Sequence, residues 1–559
     1  MLQTNTSVVL EVVPESTGRL LEVIEKLKAE KPYERLKQTI PTMHFMAMSV
    51  FQDPHYDPLL IIEVNFDGPA GPFWAQFEAA LGDYVLAMVC CCKRPADDTG
   101  PLYDAVTKSK AQRYPLAPYL EAKTIPASVA FQGNRGLDRQ RVLDEATLFD
   151  DVRKELAGSG NTLDPYRGKS AEQIHSGLRL ALNAGGRLDA PVLRRISRRE
   201  NVADLARLLA FAIVVLCVLA VPGIAFVTWL RAFFPTFEGR ALLLLLVLTA
   251  IIGVLLYLTR KARPGEAAPA RSGGLAPSVK SEFTSFGNPL TLSLAVLALI
   301  ATAVVIISGV AAIPKTIYDC WGADARLCVR WTIGPNFKIM LNIALVGLYT
   351  VVAVSVPGIF VWLRWLERRD SHHDAPPVNA AELRKMVHRE DWVPQNHMGS
   401  AVIVKPGVLR MALFRIGHLG LGLILRVFAR NGYLGSMRTV HFAQWLFVNN
   451  GSRLIFFSNF DHSWDSYLDD FIEKAHGGLT LAWGSCTGFP ATRFLVLDGA
   501  SHGRQFKQWA RASMAVSRFW YSAYRDLTVN QIERNARIAE GLRRKTLNSK
   551  EALAWARDL

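Results

Sequence analysis

The sequence predicts an α+β protein in which two βαββαβ units, one toward each end of the chain, flank an inserted segment of four transmembrane helices. Three observations predict it. Four charge-free apolar stretches lie in the middle of the chain, short motifs recur in the same order on either side of them, and the same succession of β-like and helix-like periodicity surrounds each set. The 559 residues are 50% hydrophobic and 20% charged, with a mean hydropathy of +0.15. That mixture is too apolar for a disordered chain and too charged for an all-membrane transporter. Seven cysteines in so long a chain exclude a disulfide-stapled secreted scaffold. The expected organisation is a first repeat over 5–155, a basic connector over 156–204, the membrane segment over 205–365, a linker over 366–397 and a second repeat over 398–545.

The apolar stretches are 208–230, 241–258, 290–313 and 339–363. A helix rises about 1.5 Å per residue, so about 20 residues cross a hydrocarbon core of about 30 Å. Pro222 and Pro357 fall inside the first and fourth stretches, where neighbouring helices satisfy the freed carbonyls. Lys and Arg concentrate in three flanks, 194–207, 260–280 and 364–385, and are sparser in the loops 231–240 and 314–338. That asymmetry puts both termini in the cytoplasm of a bacterial inner membrane. Residues 1–10 have neither a basic n-region nor an apolar h-region, so no cleavable signal is expected there. The net charge of +15 is then accounted for by topology and by anionic lipid headgroups, without nucleic acid. The bilayer is the expected partner, with a protein partner or a second copy of the chain as further possibilities.

Each repeat is justified element by element. Thr42-Met43-His44-Phe45 recurs as Thr439-Val440-His441-Phe442, and Asn65-Phe66-Asp67 as Asn459-Phe460-Asp461. Gly82, Leu86-Ala87, Cys91 and Pro95 recur at a constant offset as Gly477, Leu481-Ala482, Cys486 and Pro490. A β-run (7–13; 400–404) leads into a helical stretch, and two further β-runs follow (44–51 with 59–65; 441–448 with 454–458), joined by turn-prone residues. Then comes an amphipathic helix, with Phe73, Trp74, Phe77 and Leu81 on one face, matched by Trp464, Tyr467, Leu468 and Phe471. A last strand is expected at 127–131 and at 519–523. This order is the ferredoxin-like unit, whose helices cover one sheet face and leave the other needing a partner. Two copies in one chain supply that partner to each other as a pseudo-dimeric barrel. The stretch 411–428 is apolar but carries Arg415, His418 and Arg426. It reads equally as an interfacial helix or as a core helix with exposed arginines.

The duplicated unit resembles the dimeric α+β barrel superfamily, which includes dye-decolourising peroxidases and chlorite dismutase-like proteins. The resemblance covers roughly 5–155 and 398–545. Ser458-Asn459-Phe460-Asp461-His462-Ser463-Trp464, with Tyr467 to Ile472, also resembles a group of uncharacterised bacterial proteins. It implies a membrane-anchored, peroxidase-like or haem-associated oxidoreductase acting on a lipid-soluble substrate. His441, Asp461, Asp498 and His502 would then be the candidates for iron ligation or proton transfer. A dye-decolourising peroxidase carries Gly-x-x-Asp-Gly, and here Leu495-Val496-Leu497-Asp498-Gly499 lacks the leading glycine. The alternative is a non-enzymatic anchor whose barrel binds another enzyme. A transporter is disfavoured, because the four stretches contain no ionisable Asp, Glu, Lys or Arg.

Other chemistry screens poorly. No Walker loop, His-Glu-x-x-His, Gly-x-Ser-x-Gly or Cys-x-x-Cys is present. Cys90-Cys91-Cys92 reads as small buried residues closing an apolar helix, since adjacent residues on one element cannot jointly close a tetrahedral metal site. His372-His373-Asp374 reads as a solvated linker. His44 and His441, present in both copies, read as structural more than catalytic, and Asp67 and Asp461 read equally as helix caps. Cys320 and Cys328 share the loop 314–338 on the oxidising side of the membrane and are expected to form a disulfide.

Overall fold

Three nine-residue strands open the chain: β1 (Gln3–Glu11), carried by the β-branched Thr4, Thr6, Val8 and Val9, and β2 (Met43–Phe51) and β3 (Leu59–Asp67), rich in Val, Ile, Phe and Met. The computed structural model describes residues 3–53, 56–108, 114–158, 165–189, 195–233, 308–309, 312–321, 325–350, 355–370, 380–381, 384, 387–388, 393–429 and 438–559. Two short strands follow, β4 (Thr124–Pro126) and β5 (Val129–Gln132). The second half lays out the same order: β6 (Gln395–Ile403), β7 (Val440–Val448) and β8 (Arg453–Asp461). A two-stranded hairpin, β9 (Thr492–Arg493) with β10 (Leu497–Asp498), precedes β11 (Met514–Ala515) and β12 (Phe519–Ser522).

Every ladder is antiparallel, and the two halves match residue for residue. Gln3 faces Asp67 as Gln395 faces Asp461, and both β2–β3 and β7–β8 slip by one residue at the histidine, between Met43 and Phe45 and between Val440 and Phe442. Val12 bridges Cys92 as Val404 bridges Cys486.

The last strand of each half does not stay in its own sheet. One sheet runs β4-β1-β3-β2-β12 and the other β11-β6-β8-β7-β5. β5 therefore pairs with β7, Val129 opposite Trp445, and β12 pairs with β2, Phe519 opposite Met48. This corrects the expectation for 127–131 and 519–523. Those segments are exchanged strands, and the closing strand of each unit is the short piece just before them, β4 or β11. The exchange requires a crossover only two residues long between β4 and β5, and three between β11 and β12.

The sheets do not close into a barrel. β4 and β11 are too short, at three and two residues, to carry a ladder from one sheet to the other. The sheets instead face each other. Along that layer the apolar end holds Phe51, Leu59 and Ile61 against Leu446, Ile455 and Phe457. The opposite end holds Phe45, Phe442, Trp520 and Tyr524, and buried polar side chains lie between.

Helices cover the outer faces: α1 (Thr17–Ala29), α2 (Tyr33–Thr39), α3 (Ala70–Val89), α4 (Gly100–Val106) and α5 (Ala117–Ala122) in the first half. The predicted apolar face of α3 is buried at Phe73, Trp74, Phe77 and Leu81 against β-strand residues such as Val64 and Phe66. The Cys90-Cys91-Cys92 tract closes this helix. Cys91 and Cys92 donate to the carbonyls of Ala87 and Met88, and burial pushes both thiols up. α6 (Arg139–Ala157) and α7 (Ala171–Leu182) follow. The described part of the predicted connector thus contains a helix, α7. Leu178 and Leu188 join Phe149 and Val152 in a core shared with the two C-terminal helices, α14 (Val529–Arg543) and α15 (Ser549–Ala556).

The membrane segment is only partly covered. The stretch 241–258 and all but a few residues of 290–313 lie outside the described residues, as does His372-His373-Asp374. The first stretch falls within α8 (Arg198–Phe233). The fourth is divided between α9 (Ala325–Thr350) and α10 (Val356–Arg369), and the predicted loop 314–338 is largely helical, its start tied to α9 by Asn336 donating to Thr316 Oγ1 and Asp319. A four-helix transmembrane unit is thus not what the described residues contain. Two helices among them are long and apolar enough to cross a membrane: α8 over Arg198–Val221 and α11 (Val408–Phe428). Of these, α11 occupies the first-helix slot of the second half, packed on β5 and on α12 (Trp464–Trp483); α13 (Gly503–Ser513) completes that layer.

His418 on α11 is enclosed between Phe414 and Phe447, with Nε2 donating to the Ala482 carbonyl. Burial depresses its pKa to about 4, against partial support from that hydrogen bond. The unfolded chain therefore takes up this proton near pH 6.5 while the folded chain resists until about 4. Stability contributed by the neutral ring is fully present above pH 6.5 and drains away below it, by up to about 3 kcal/mol. Thermal unfolding between pH 7 and 4 should show a steeper loss of Tm in the wild type than in His418→Gln.

Candidate functional site

His44 and His441 come from the bulged starts of β2 and β7, where the one-residue slip turns each ring inward toward the end of the neighbouring strand. His44 Nε2 donates to Asp67 Oδ2 at 3.0 Å and His441 Nε2 to Asp461 Oδ1 at 2.8 Å. Each aspartate also accepts a backbone N–H from the first residue of a distant helix, Arg139 of α6 for Asp67 and Val529 of α14 for Asp461, both at 2.8 Å. The aspartates do act at helix N-termini, but not at those of the helices that follow them. They tie the strand ends to helices 72 and 68 residues further on, where a carboxylate meets the positive end of the helix dipole.

The rings meet across the two sheets. His44 lies 5.3 Å from Phe442 and His441 lies 5.3 Å from Phe45, at the same tilt of 50°. Tyr524 donates to His44 Nδ1 at 2.9 Å and sits 6.0 Å from the His441 ring. Desolvation first, then nearby Asp67, raises the Tyr524 hydroxyl well above its ordinary pKa, so it stays protonated and serves as a donor.

These residues do not fit a haem. An axial histidine must turn a nitrogen into a cofactor-sized space. The His441 side chain is 0% exposed, its Nε2 is taken by Asp461, its face is covered by Phe45, and its Nδ1, without a hydrogen-bond partner among the described residues, is itself buried. Asp498 and His502 lie elsewhere. Asp498, on β10, pairs with Arg493 of β9 at 3.3 Å and is 42% exposed, and its carbonyl receives the Thr480 hydroxyl. His502 begins α13 and its carbonyl accepts from Phe506. The structure brings His441 and Asp461 together but joins neither to Asp498 or His502. Among the described residues no group of three or more His, Cys, Asp and Glu could hold a metal.

A second polar cluster lies in the middle of the inter-sheet layer. His397 of β6 donates from Nε2 to Glu63 Oε2 of β3 at 2.7 Å, and its Nδ1 is 2.5 Å from Ser517 Oγ on the β11–β12 crossover. Glu63 Oε1 also receives Asn459 Nδ2 at 3.4 Å, and Asn459 Oδ1 receives the Trp520 indole N–H at 2.9 Å. The His397 and Glu63 side chains are 0% and 1% exposed. Registers show what makes this cluster different from the histidine–aspartate pairs. The positions matching His397, Glu63 and Ser517 in the other half are Asn5, Phe457 and Ala127, so the cluster exists once while the pairs exist twice. Phe457 stacks on the His397 ring at 5.7 Å, and it fits because Gly399 opposite has no side chain: a Cβ there would come within 2.7 Å of the Phe457 ring.

Motif reading passed over this cluster, since its members lie far apart in the chain and match no local signature. One signal was legible: Glu63 is a lone carboxylate in the apolar run Leu59-Leu60-Ile61-Ile62, a charge that burial tolerates only with a partner. Cys320 is held in a disulfide, while Cys90, Cys91, Cys92, Cys217 and Cys486 are free thiols; the side chain of Cys328 lies outside the described residues. Neither a family model, nor a curated protein, nor a solved structure matches the chain.

Proposed function

We propose that the protein is a membrane-seated α+β head, built from two copies of a ferredoxin-like unit joined as a pseudo-dimer and held at the bilayer by α8. The observation that carries this reading is the exposure of α8. The most apolar 18-residue window of its span Arg198–Val221 has a mean hydropathy of 2.5, and Val214, Val218 and Val221 are each more than half exposed. Such a surface is stable against lipid chains and costly in water. α11 extends it: Gly420 lies against Phe211 of α8, while Ile416, Leu419 and Phe428 remain open beside it. The matching registers and histidine–aspartate ties support the copy reading. The anchoring role is favoured over a haem oxidoreductase because the His441 side chain is 0% exposed, with Nε2 engaged by Asp461 and the unpartnered Nδ1 shut away from solvent. Multi-pass topology with cytoplasmic termini belongs to the same proposal, on the asymmetry of Lys and Arg.

The expected result is that the chain stays in the membrane pellet after alkaline carbonate extraction. In intact cells, a membrane-impermeant maleimide should label Cys320 only after reduction. Release by carbonate overturns the anchor. Labelling of Cys90 in intact cells, before lysis, overturns the orientation, because that exposed thiol belongs to the head.

A further inference from the structure

We propose that Ser517, His397 and Glu63 form a hydrolytic relay that cleaves small anionic esters in the cleft beside the β11–β12 crossover. The inference is independent of the anchoring role. The connectivity is that of a nucleophile, a base and an orienting acid: Ser517 Oγ at 2.5 Å from His397 Nδ1, and His397 Nε2 at 2.7 Å from Glu63 Oε2. With Nε2–H committed to Glu63, Nδ1 is the lone-pair nitrogen that accepts the serine proton. Stacking on Phe457 fixes the ring plane.

The relay opens on a built cleft. Ser517, itself 4% exposed, lines a cavity of about 430 Å³ together with Arg518, Arg525, Trp520 and Tyr33. That volume lies within the usual range for a small-molecule site. Arg525 spans two rings, 5.3 Å from Tyr33 and 5.6 Å from Trp520, which holds its guanidinium at the cleft wall. Glu25 is the one carboxylate among the lining residues and pairs with Lys28 at 3.5 Å, so Arg518 and Arg525 set the sign of the site. Arg518 Nε is buried with no hydrogen-bond acceptor among the described residues, immediately next to the serine. It supplies a donor for the oxyanion. All three relay residues depart from the matching positions of the other half, as a single active site on a pseudo-symmetric frame requires.

In the first half-reaction Ser517 Oγ bonds to the ester carbonyl carbon as its proton passes to His397 Nδ1. Collapse of the tetrahedral adduct breaks the carbon–oxygen bond to the alcohol, which leaves with the proton from His397. Water then repeats the sequence on the acyl-serine, giving its proton to His397 and its hydroxyl to the acyl carbon, and Ser517 recovers its proton. The balance is ester plus water to carboxylic acid plus alcohol, with Glu63 unchanged at the end.

The test uses the full chain in detergent. A fluorophosphonate probe should label wild-type protein, with the adduct mapped to Ser517 by peptide mass spectrometry, which needs no variant to fold. A 4-nitrophenyl ester bearing a carboxylate should be hydrolysed. Ser517→Ala should abolish both signals and Glu63→Gln should lower kcat about 10²- to 10⁴-fold. Arg525→Gln should raise KM about tenfold for that ester and leave KM unchanged for a neutral 4-nitrophenyl ester. Absence of labelling, or an adduct at another serine, or wild-type hydrolysis no faster than Ser517→Ala, would overturn the relay and leave a buried polar brace between the sheets. Equal effects of Arg525→Gln on both esters would overturn the anionic substrate class.

Discussion

Phe460→Asp and Phe66→Asp are each expected to abolish cooperative folding. Phe460 is stacked on Tyr467 at 4.2 Å and Phe66 on Phe73 at 3.9 Å, both essentially without solvent contact, at matching positions in the helix-facing layers of the two sheets. Removing either ring leaves a cavity, and the carboxylate that replaces it finds no partner in an apolar surround. Cavity and desolvation together cost on the order of 5 kcal/mol or more, comparable to the whole stability of a typical domain. Thermal melts in detergent and limited trypsin digestion read the outcome. Leu180→Asp, at an 86% exposed position on α7, is the control and should change little. Near-neutral behaviour of both aspartate variants would remove these rings from the core.

Asp461→Ala should be nearly as severe, and Asp67→Ala should match it. Each substitution strips a buried histidine of its partner and orphans the first N–H of a long helix, α14 or α6. Breaking a buried pair in this way costs about 3–5 kcal/mol, a shift of a few degrees in Tm for a chain of this size. Asp461→Asn keeps the shape and one acceptor and should lose less. His441→Ala belongs to the same series and should lower Tm. A histidine variant that melts like the wild type while losing a bound chromophore would reverse the structural assignment of these pairs.

Much of this architecture was legible in the chain. The recurrence of His44-Phe45 and Asn65-Phe66-Asp67 located matching strand ends, and the spacing of Phe73, Trp74 and Phe77 located the helix that covers them. What misled was range. Val129 to Gln132 has the composition of a strand, but composition carries no record of which sheet it joins, and the two-residue crossover before it is too short to stand out. Apolarity likewise drew 208–230 and 411–428 toward the bilayer without separating a helix with open sides from one whose His418 face is pressed onto a sheet. The site suffered most. His441 and Asp461 were conspicuous because they repeat, and repetition is the mark of a shared structural tie. His397, Glu63 and Ser517 occur once each, spread over 454 positions, and only the folded chain makes them neighbours.

The strand exchange also sets a timetable for synthesis. β2 leaves the ribosome early, yet the strand that covers its edge, β12, is not made until residue 519. At about 5–20 residues per second, that edge waits roughly half a minute or longer. For that interval Phe45 to Met48 present an unclaimed row of backbone donors and acceptors, of the kind that recruits strands from neighbouring nascent chains. The first half of this protein is therefore born as an open template, and its fate depends on whether its own distant terminus or another molecule reaches that edge first.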